Sequence, residues 1–338
     1  MDKTKKTMAL VFLSIGVVAV ISFILLTENS IMGDVVKETN KADVTLAISP
    51  IPHSVLIFIA EEKGYFNDEG LNVKMVKFST GKDALDAMIA DGADFATTAD
   101  FPLTLAGLSG QETYVVATIG FGDDIKVIAR KDRGINSIED LVGKKIATKK
   151  GGGGDFFMQK LFEQKNMVLD QSKVINLNPP DMPTVLARGD VDAYITWEPH
   201  ISNGKKLLAD NAIVFEPKGI YGETWNVVVN SEFESKNPDI VKKFVSALVK
   251  ADDFMDNHPL ESSSIAQKYS GASEEIVDIV FGSFNIEVLL DKDLTDQMTE
   301  TARWLVNQGN FKAESIPDYN HMIKTQYLDE ISPQSVTI

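Results

Sequence analysis

The chain has 338 residues, 44% of them hydrophobic and none of them cysteine, and its 49 acidic against 33 basic side chains give a formal net charge of −16. A surface that acidic excludes a nucleic-acid or anionic-membrane face as the main role and suits a soluble body. Without cysteine there are no disulfides, no thiolate metal sites and no lipid-modified cysteine anchor.

Lys3, Lys5 and Lys6 precede Met8–Leu26, an uncharged apolar run of 19 residues that Glu28 ends. Such a run is long enough to span a bilayer, and its basic flank leaves the rest of the chain outside the cytoplasm. Leu25 to Ser30 offers no small-x-small exit, which favours a retained anchor over a cleaved signal. Polar Asn29–Asp43 then reads as a tether, so residues 1–43 form a leader and the remaining length favours two domains.

Val44–Ile48 predicts a first strand, followed by the stiff turn Ser49-Pro50-Ile51-Pro52, a helix over Ser54–Lys63 that Gly64 stops, and a strand at Leu71–Val76. Strand, helix and strand make a parallel unit. Ser79-Thr80-Gly81 opens a helix over Lys82–Asp91 with Ala84, Leu85, Met88 and Ile89 on one face, and strands follow at Phe95–Thr98, Tyr114–Thr118 and Ile125–Ala129. A second lobe begins near Asp123, with a helical turn at Ser137–Leu141, strands at Lys145–Thr148, Val174–Leu177 and Val191–Thr196, helices at Asp155–Lys165 and Thr184–Arg188, and a glycine run at Gly151–Gly154. Trp225–Val229 carries the chain back, and helices over Asp239–Asp256 and Leu294–Val306 show core packing.

Val191–Thr196 is apolar enough to be buried in a parallel sheet and stops abruptly at Trp197, Glu198 and Pro199, an arrangement that suits a ligand cleft. Four motifs together carry a resemblance: Pro52-His53, then Ala60 through Phe66 with Glu69-Gly70-Leu71-Asn72-Val73, then Ser137 through Ala147, and finally Gly189, Val191-Asp192-Ala193 and Trp197-Glu198-Pro199. They resemble the nitrate/sulfonate/taurine-type substrate-binding proteins of ABC importers, relatives of thiamine-precursor pyrimidine binders, over roughly residues 44–310. The resemblance implies an α/β, two-lobed type II periplasmic-binding-protein fold, each lobe a mostly parallel sheet flanked by helices. Lobe I would comprise residues 44–122 and 223–338, and lobe II residues 123–222. It also implies a monomer with no cofactor that closes on a small solute and delivers it to an ABC permease and its ATPase subunits. One departure matters: where sulfonate binders show a hydroxyl-rich turn, this chain has Lys149-Lys150-Gly151-Gly152-Gly153-Gly154-Asp155.

Candidate ligand residues follow from strand ends and helix starts. Gly152, Gly153 and Gly154 would aim backbone N–H groups at an anion, or merely bend the chain, while Asp155 caps the helix they open. Ser79, Thr80 and Gly81 would do the same in the facing lobe, or only cap. Thr98 and Asp100 end a strand, where Asp100 binds an amine or caps a helix. Trp197 would wall the ligand and Glu198 accept its N–H groups, so Glu198→Ala is expected to weaken binding about tenfold or more. Pro52 and His53 lie in the loop that faces the cleft in this fold. Tyr221, Glu223 and Trp225 line the hinge side or pack within it. His200, His258 and His321 lack ligand-spaced partners, so no metal is assigned. Neither a nucleophile elbow nor a phosphate loop is present, which points to a binding protein rather than an enzyme. The enzyme alternative is a pyrimidine synthase using His53 and pyridoxal phosphate, against which stand the missing cysteines and the export segment. An extracytoplasmic sensor is a further alternative, weakened by the few residues that precede the apolar run.

Overall fold

The computed structural model describes residues 41–309, 311, 312, 314 and 316–338, and the apolar run Met8–Leu26, its lysine flank and the tether up to Asn40 lie outside them. Apolar alternation produces the first strand, β1 (Ala42–Ile48), whose Val44, Leu46 and Ile48 are buried. A short turn over Pro52–Ser54 feeds helix α1 (Val55–Glu62), buried from Val55 through Ala60, and Gly64 in the left-handed conformation re-aims the chain into α2 (Tyr65–Asp68). The unit closes with β2 (Leu71–Lys77), parallel to β1 in the register Ala42↔Leu71 to Ile48↔Lys77. Next come α3 (Gly81–Ile89), β3 (Phe95–Ala99), α4 (Asp100–Leu108) and β4 (Thr113–Gly122).

The chain then leaves for a second sheet. There β5 (Lys126–Arg130), β6 (Ile146–Thr148), α5 (Gly153–Gln164), β7 (Val174–Asn176), α6 (Met182–Arg188), β8 (Ala193–Thr196), α7 (His200–Leu208) and β9 (Ala212–Phe215) follow in order. It returns through β10 (Glu223–Asn230), after which the sequence is mostly helical: α8 (Ser231–Lys236), α9 (Pro238–Asn257), α10 (Pro259–Ser270), α11 (Glu274–Ser283), the two-residue strand β11 (Phe284–Asn285) and α12 (Lys292–Asn307). Strand order is β11-β4-β10-β3-β1-β2 in the six-stranded sheet and β7-β6-β8-β5-β9 in the five-stranded one.

Both sheets are mixed, which corrects the expectation of mostly parallel ones. β1 runs parallel to β2 and β3, and β6 to β7 and β8, as their helical crossovers require. The strands that follow a passage between sheets run the other way, β10 antiparallel to β3 and β4 and β5 antiparallel to β8 and β9, and the two-residue β11 is antiparallel to β4. A strand entering from the other sheet starts at the cleft edge, where the parallel strands end, so it must run against them. The helices α7, α10 and α11 and strand β9 are elements that the sequence pattern did not single out.

Packing follows the pattern of the apolar positions. Phe95 on β3 stacks on Phe244 of α9 at 4.3 Å between ring centroids, and Phe66 meets the same ring at 4.9 Å. Between the sheets, Phe101 of α4 stacks on Phe156 of α5 at 4.7 Å, and Tyr221 and Trp304 close on Phe156 edge-on at 5.0 and 5.3 Å. Aromatic pairs of this geometry add about 0.5–1.5 kcal/mol each beyond their area burial. Trp304 also donates from Nε1 to Glu163 Oε2 at 2.6 Å.

Candidate functional site

The carboxyl ends of β1, β2, β3, β6 and β8 converge on one cavity, the place where open α/β sheets collect ligands. Ile51 and His53 reach it from the loop after β1; Thr80, Gly81 and Lys82 from the start of α3; Ala99 and Pro102 from the junction of β3 and α4. Lys149, Gly152, Gly153 and Trp197 reach it from the facing sheet, and Glu223 and Trp225 from the returning strand β10. The empty volume along these walls, open solvent included, is about 380 Å³.

Local folding sets each wall. Thr80 caps α3: its Oγ1 accepts from the Asp83 N–H at 3.1 Å and donates to Asp83 Oδ2 at 2.8 Å. Gly81 has no room for a side chain, because a Cβ there would lie 2.6 Å from Trp225 Cη2 and 2.9 Å from Thr98 Cα. Trp225 is fixed by donating from Nε1 to Ser54 Oγ at 3.0 Å, and Ser54 donates in turn to the Ser49 carbonyl at 3.0 Å. Opposite, Asp155 Oδ2 accepts from the Gly151 N–H at 2.9 Å and ties the glycine turn to α5.

Charge in the cavity is unevenly matched. Lys149 Nζ pairs with Asp83 Oδ1 at 2.8 Å, spanning the two sheets' segments, and donates to Asn178 Oδ1 at 2.9 Å. Lys82 pairs with Asp86. His53 Nε2 lies 2.6 Å from Asp124 Oδ2, both buried, while His53 Nδ1 and Asp124 Oδ1 have no partner among the described residues. Glu223 is 5% exposed, and among the described residues no hydrogen bond or ion pair engages its carboxylate. Burial, with Asp124 and then Asp100 nearby, pushes its pKa well up. Its Oε1 sits where a Cβ on Gly153 would be, 2.2 Å from that position, so the first residue of α5 must be glycine for the carboxylate to lie there.

Of the residues expected from sequence, His53, Thr80, Gly81, Gly152, Gly153 and Trp197 come together on this cavity. The others are placed elsewhere. Glu198 is 2% exposed and off the wall, because its Oε2 accepts from the Ser202 N–H at 3.0 Å in the first turn of α7. Asp100, also expected at the ligand, is consumed at the strand crossing: Oδ1 accepts from Tyr221 Oη at 2.6 Å and from the Thr224 N–H at 3.1 Å, and Oδ2 from Gln297 Nε2 at 2.8 Å. Ser79 is exposed, and Pro52 is buried between Ile51 and His53 without lining the space. Thr98 is buried in β3, and Gly154 packs on Ile195 and Thr148. Sequence reasoning left Glu223 and Trp225 open and missed Asp124. The available signal was an acidic residue heading an otherwise apolar strand, Glu223-Thr224-Trp225 before Val227–Val229.

Comparison with known proteins bears on family and fold. The NMT1/THI5 like family matches residues 51–262. A Bacillus subtilis (strain 168) protein named as an aliphatic sulfonates-binding protein is 26% identical over 260 residues, 73% of this chain and 76% of its own. The taurine-binding periplasmic protein of Escherichia coli (strain K12) is 23% identical over 285 residues, 78% and 86% respectively. The alkanesulfonate-binding protein SsuA from Xanthomonas axonopodis pv. citri, solved bound to MOPS, superposes with a TM-score of 0.72 at 16% identity, covering 85% of this chain and 99% of that one. The periplasmic nitrate-binding protein NrtA from Synechocystis PCC 6803 gives 0.70 at 13% identity, covering 87% and 89%. The fold is therefore the two-lobed one of periplasmic binding proteins.

Proposed function

Because the chain belongs to the NMT1/THI5-like family, we propose that it is the extracytoplasmic solute-binding protein of an ABC importer, which captures a small polar solute of the sulfonate, taurine or nitrate kind. The observation that carries this reading is the cavity itself, walled by Thr80, Gly81 and His53 on one side and by Lys149, Gly153 and Trp197 on the other. Function then needs no bond to change. Contacts drawn from both lobes favour a closed, occupied form, which is the form to be recognised by a permease.

The lobes divide where the chain passes between sheets, residues 44–122 with 223–338 against 123–222, and Lys149 with Asp83 acts as a clasp across the mouth. The leader, Met8–Leu26, exports or anchors the body, and the tether keeps it near its membrane partners. Two indoles, Trp197 and Trp225, stand on the wall and suit a flat ring, so an aminopyrimidine is the second reading.

Calorimetry and thermal shift across taurine, ethanesulfonate, nitrate and aminopyrimidines test the proposal. Binding of one of them, with Trp197→Ala weakening it at least tenfold, or about 1.4 kcal/mol, is expected. A protein indifferent to the whole panel would refute it.

A further inference from the structure

We infer that the captured solute carries an amine or paired N–H donors, and that Glu223 receives them and thereby sets the selectivity of the cavity. The inference rests on the capture reading above and names the class of solute within it.

Three observations support it. Glu223 faces the cavity with no protein partner, although a buried carboxylate without one is costly and persists where something else completes it. Among the described residues, the two lysines on the wall, Lys82 and Lys149, meet Asp86 and Asp83 rather than Glu223. The remaining charge around Glu223 is acidic: Asp124 and Asp100 are the neighbours acting on it, His53 is turned toward Asp124, and the Tyr221 hydroxyl donates to Asp100. A solute bearing only negative charge would add to this repulsion. One with a positive or N–H end relieves it.

The same wall offers the complement. Trp197 lines the cavity, and among the described residues its buried Nε1–H has no acceptor. The starts of α3 and α5 also meet there, at Gly81 and Gly153. A solute with a donor end at Glu223 and an acceptor end at Trp197 satisfies both. Taurine has those two ends, whereas ethanesulfonate and nitrate have only the second. Closure on an amine replaces the proton that an enclosed Glu223 would otherwise take up, so amine and proton compete.

Matched pairs test this on the full-length chain by calorimetry: taurine against ethanesulfonate, and 4-aminopyrimidine against pyrimidine. The expected result is that the amine-bearing member of at least one pair binds thirtyfold or more tightly than its twin, and that Glu223→Gln, with an unchanged melting temperature, removes most of that preference. Taurine affinity should fall as pH falls in the parent and stay level in the variant. Equal binding of the amine-free twin, or a preference that survives Glu223→Gln, overturns the assignment and leaves solute capture standing. Ethanesulfonate or nitrate binding that strengthens as pH falls overturns it too, since Glu223 would then be a neutral acid donating to an anion. Binding by no member of either pair, nor by nitrate, overturns capture and this inference together.

Discussion

Two short segments of the chain use the same residue types to opposite ends. At the end of β8, Trp197-Glu198-Pro199 puts an indole on the cavity wall and turns the carboxylate away, where the Ser202 N–H holds it. At the start of β10, Glu223-Thr224-Trp225 puts both the indole and the carboxylate on the wall, and none of the described residues holds the carboxylate. What separates them is whether a backbone donor lies within reach. Glu198 sits just before α7, whose first N–H groups have no intrahelical acceptor, so the nearest carboxylate takes one of them. Glu223 begins a strand whose backbone groups pair with β3 and β4, which leaves its side chain nothing local to bond.

The largest effect should come from removing the unpartnered acid. Glu223→Ala is expected to weaken the tightest-binding panel solute about a hundredfold, near 2.7 kcal/mol, without lowering the melting temperature. A clear loss of stability with unaltered affinity, seen by calorimetry and denaturant unfolding, would reverse the roles assigned to the two segments.

Next is a contrast in pH. Burial pushes His200, in the first turn of α7, down to about 4. A histidine depressed in the folded state contributes stability that is present above its unfolded pKa, about 6.5, and is lost as pH falls toward 4; about 3 kcal/mol is at stake. Glu223 has the reverse sign: its raised pKa favours the enclosed state in acid and disfavours it as pH rises. His200→Gln should therefore flatten the melting-temperature profile between pH 4 and 6.5, and an unchanged slope would count against the burial of the imidazole.

A smaller effect, about tenfold in affinity, is expected of Gly153→Ala, because the added methyl displaces the Glu223 carboxylate from the start of α5. Pairing it with Glu223→Ala sharpens the test: if both act on the same carboxylate, the double variant is no worse than Glu223→Ala alone. Least of all, Glu198→Ala should alter affinity less than about threefold while costing about 1 kcal/mol of stability as the α7 cap is lost. A tenfold loss of binding there would restore Glu198 to the site.

Much of the framework was readable from residue order. The alternation in β1 and β2, the helical spacing of Ala84, Leu85 and Met88, and the apolar β8 all rest on local periodicity, which survives folding because each element buries its own apolar face. The strand direction of β5 and β10 was not readable, since antiparallel insertion depends on where a strand enters the sheet. The site was only half legible for a related reason. Thr80, Gly81, Gly153 and Trp197 stand at helix starts and strand ends, positions that a sequence marks. Asp124 and Glu223 are 99 residues apart and meet only because the chain crosses between sheets twice.

The sequence alone determined that this is an acidic, cysteine-free α/β chain, because composition and periodicity are local properties. Which carboxylate faces the cavity was decided by tertiary structure. Glu198 and Glu223 are chemically the same side chain, and only the folded surroundings supply one with a hydrogen-bond donor and withhold it from the other.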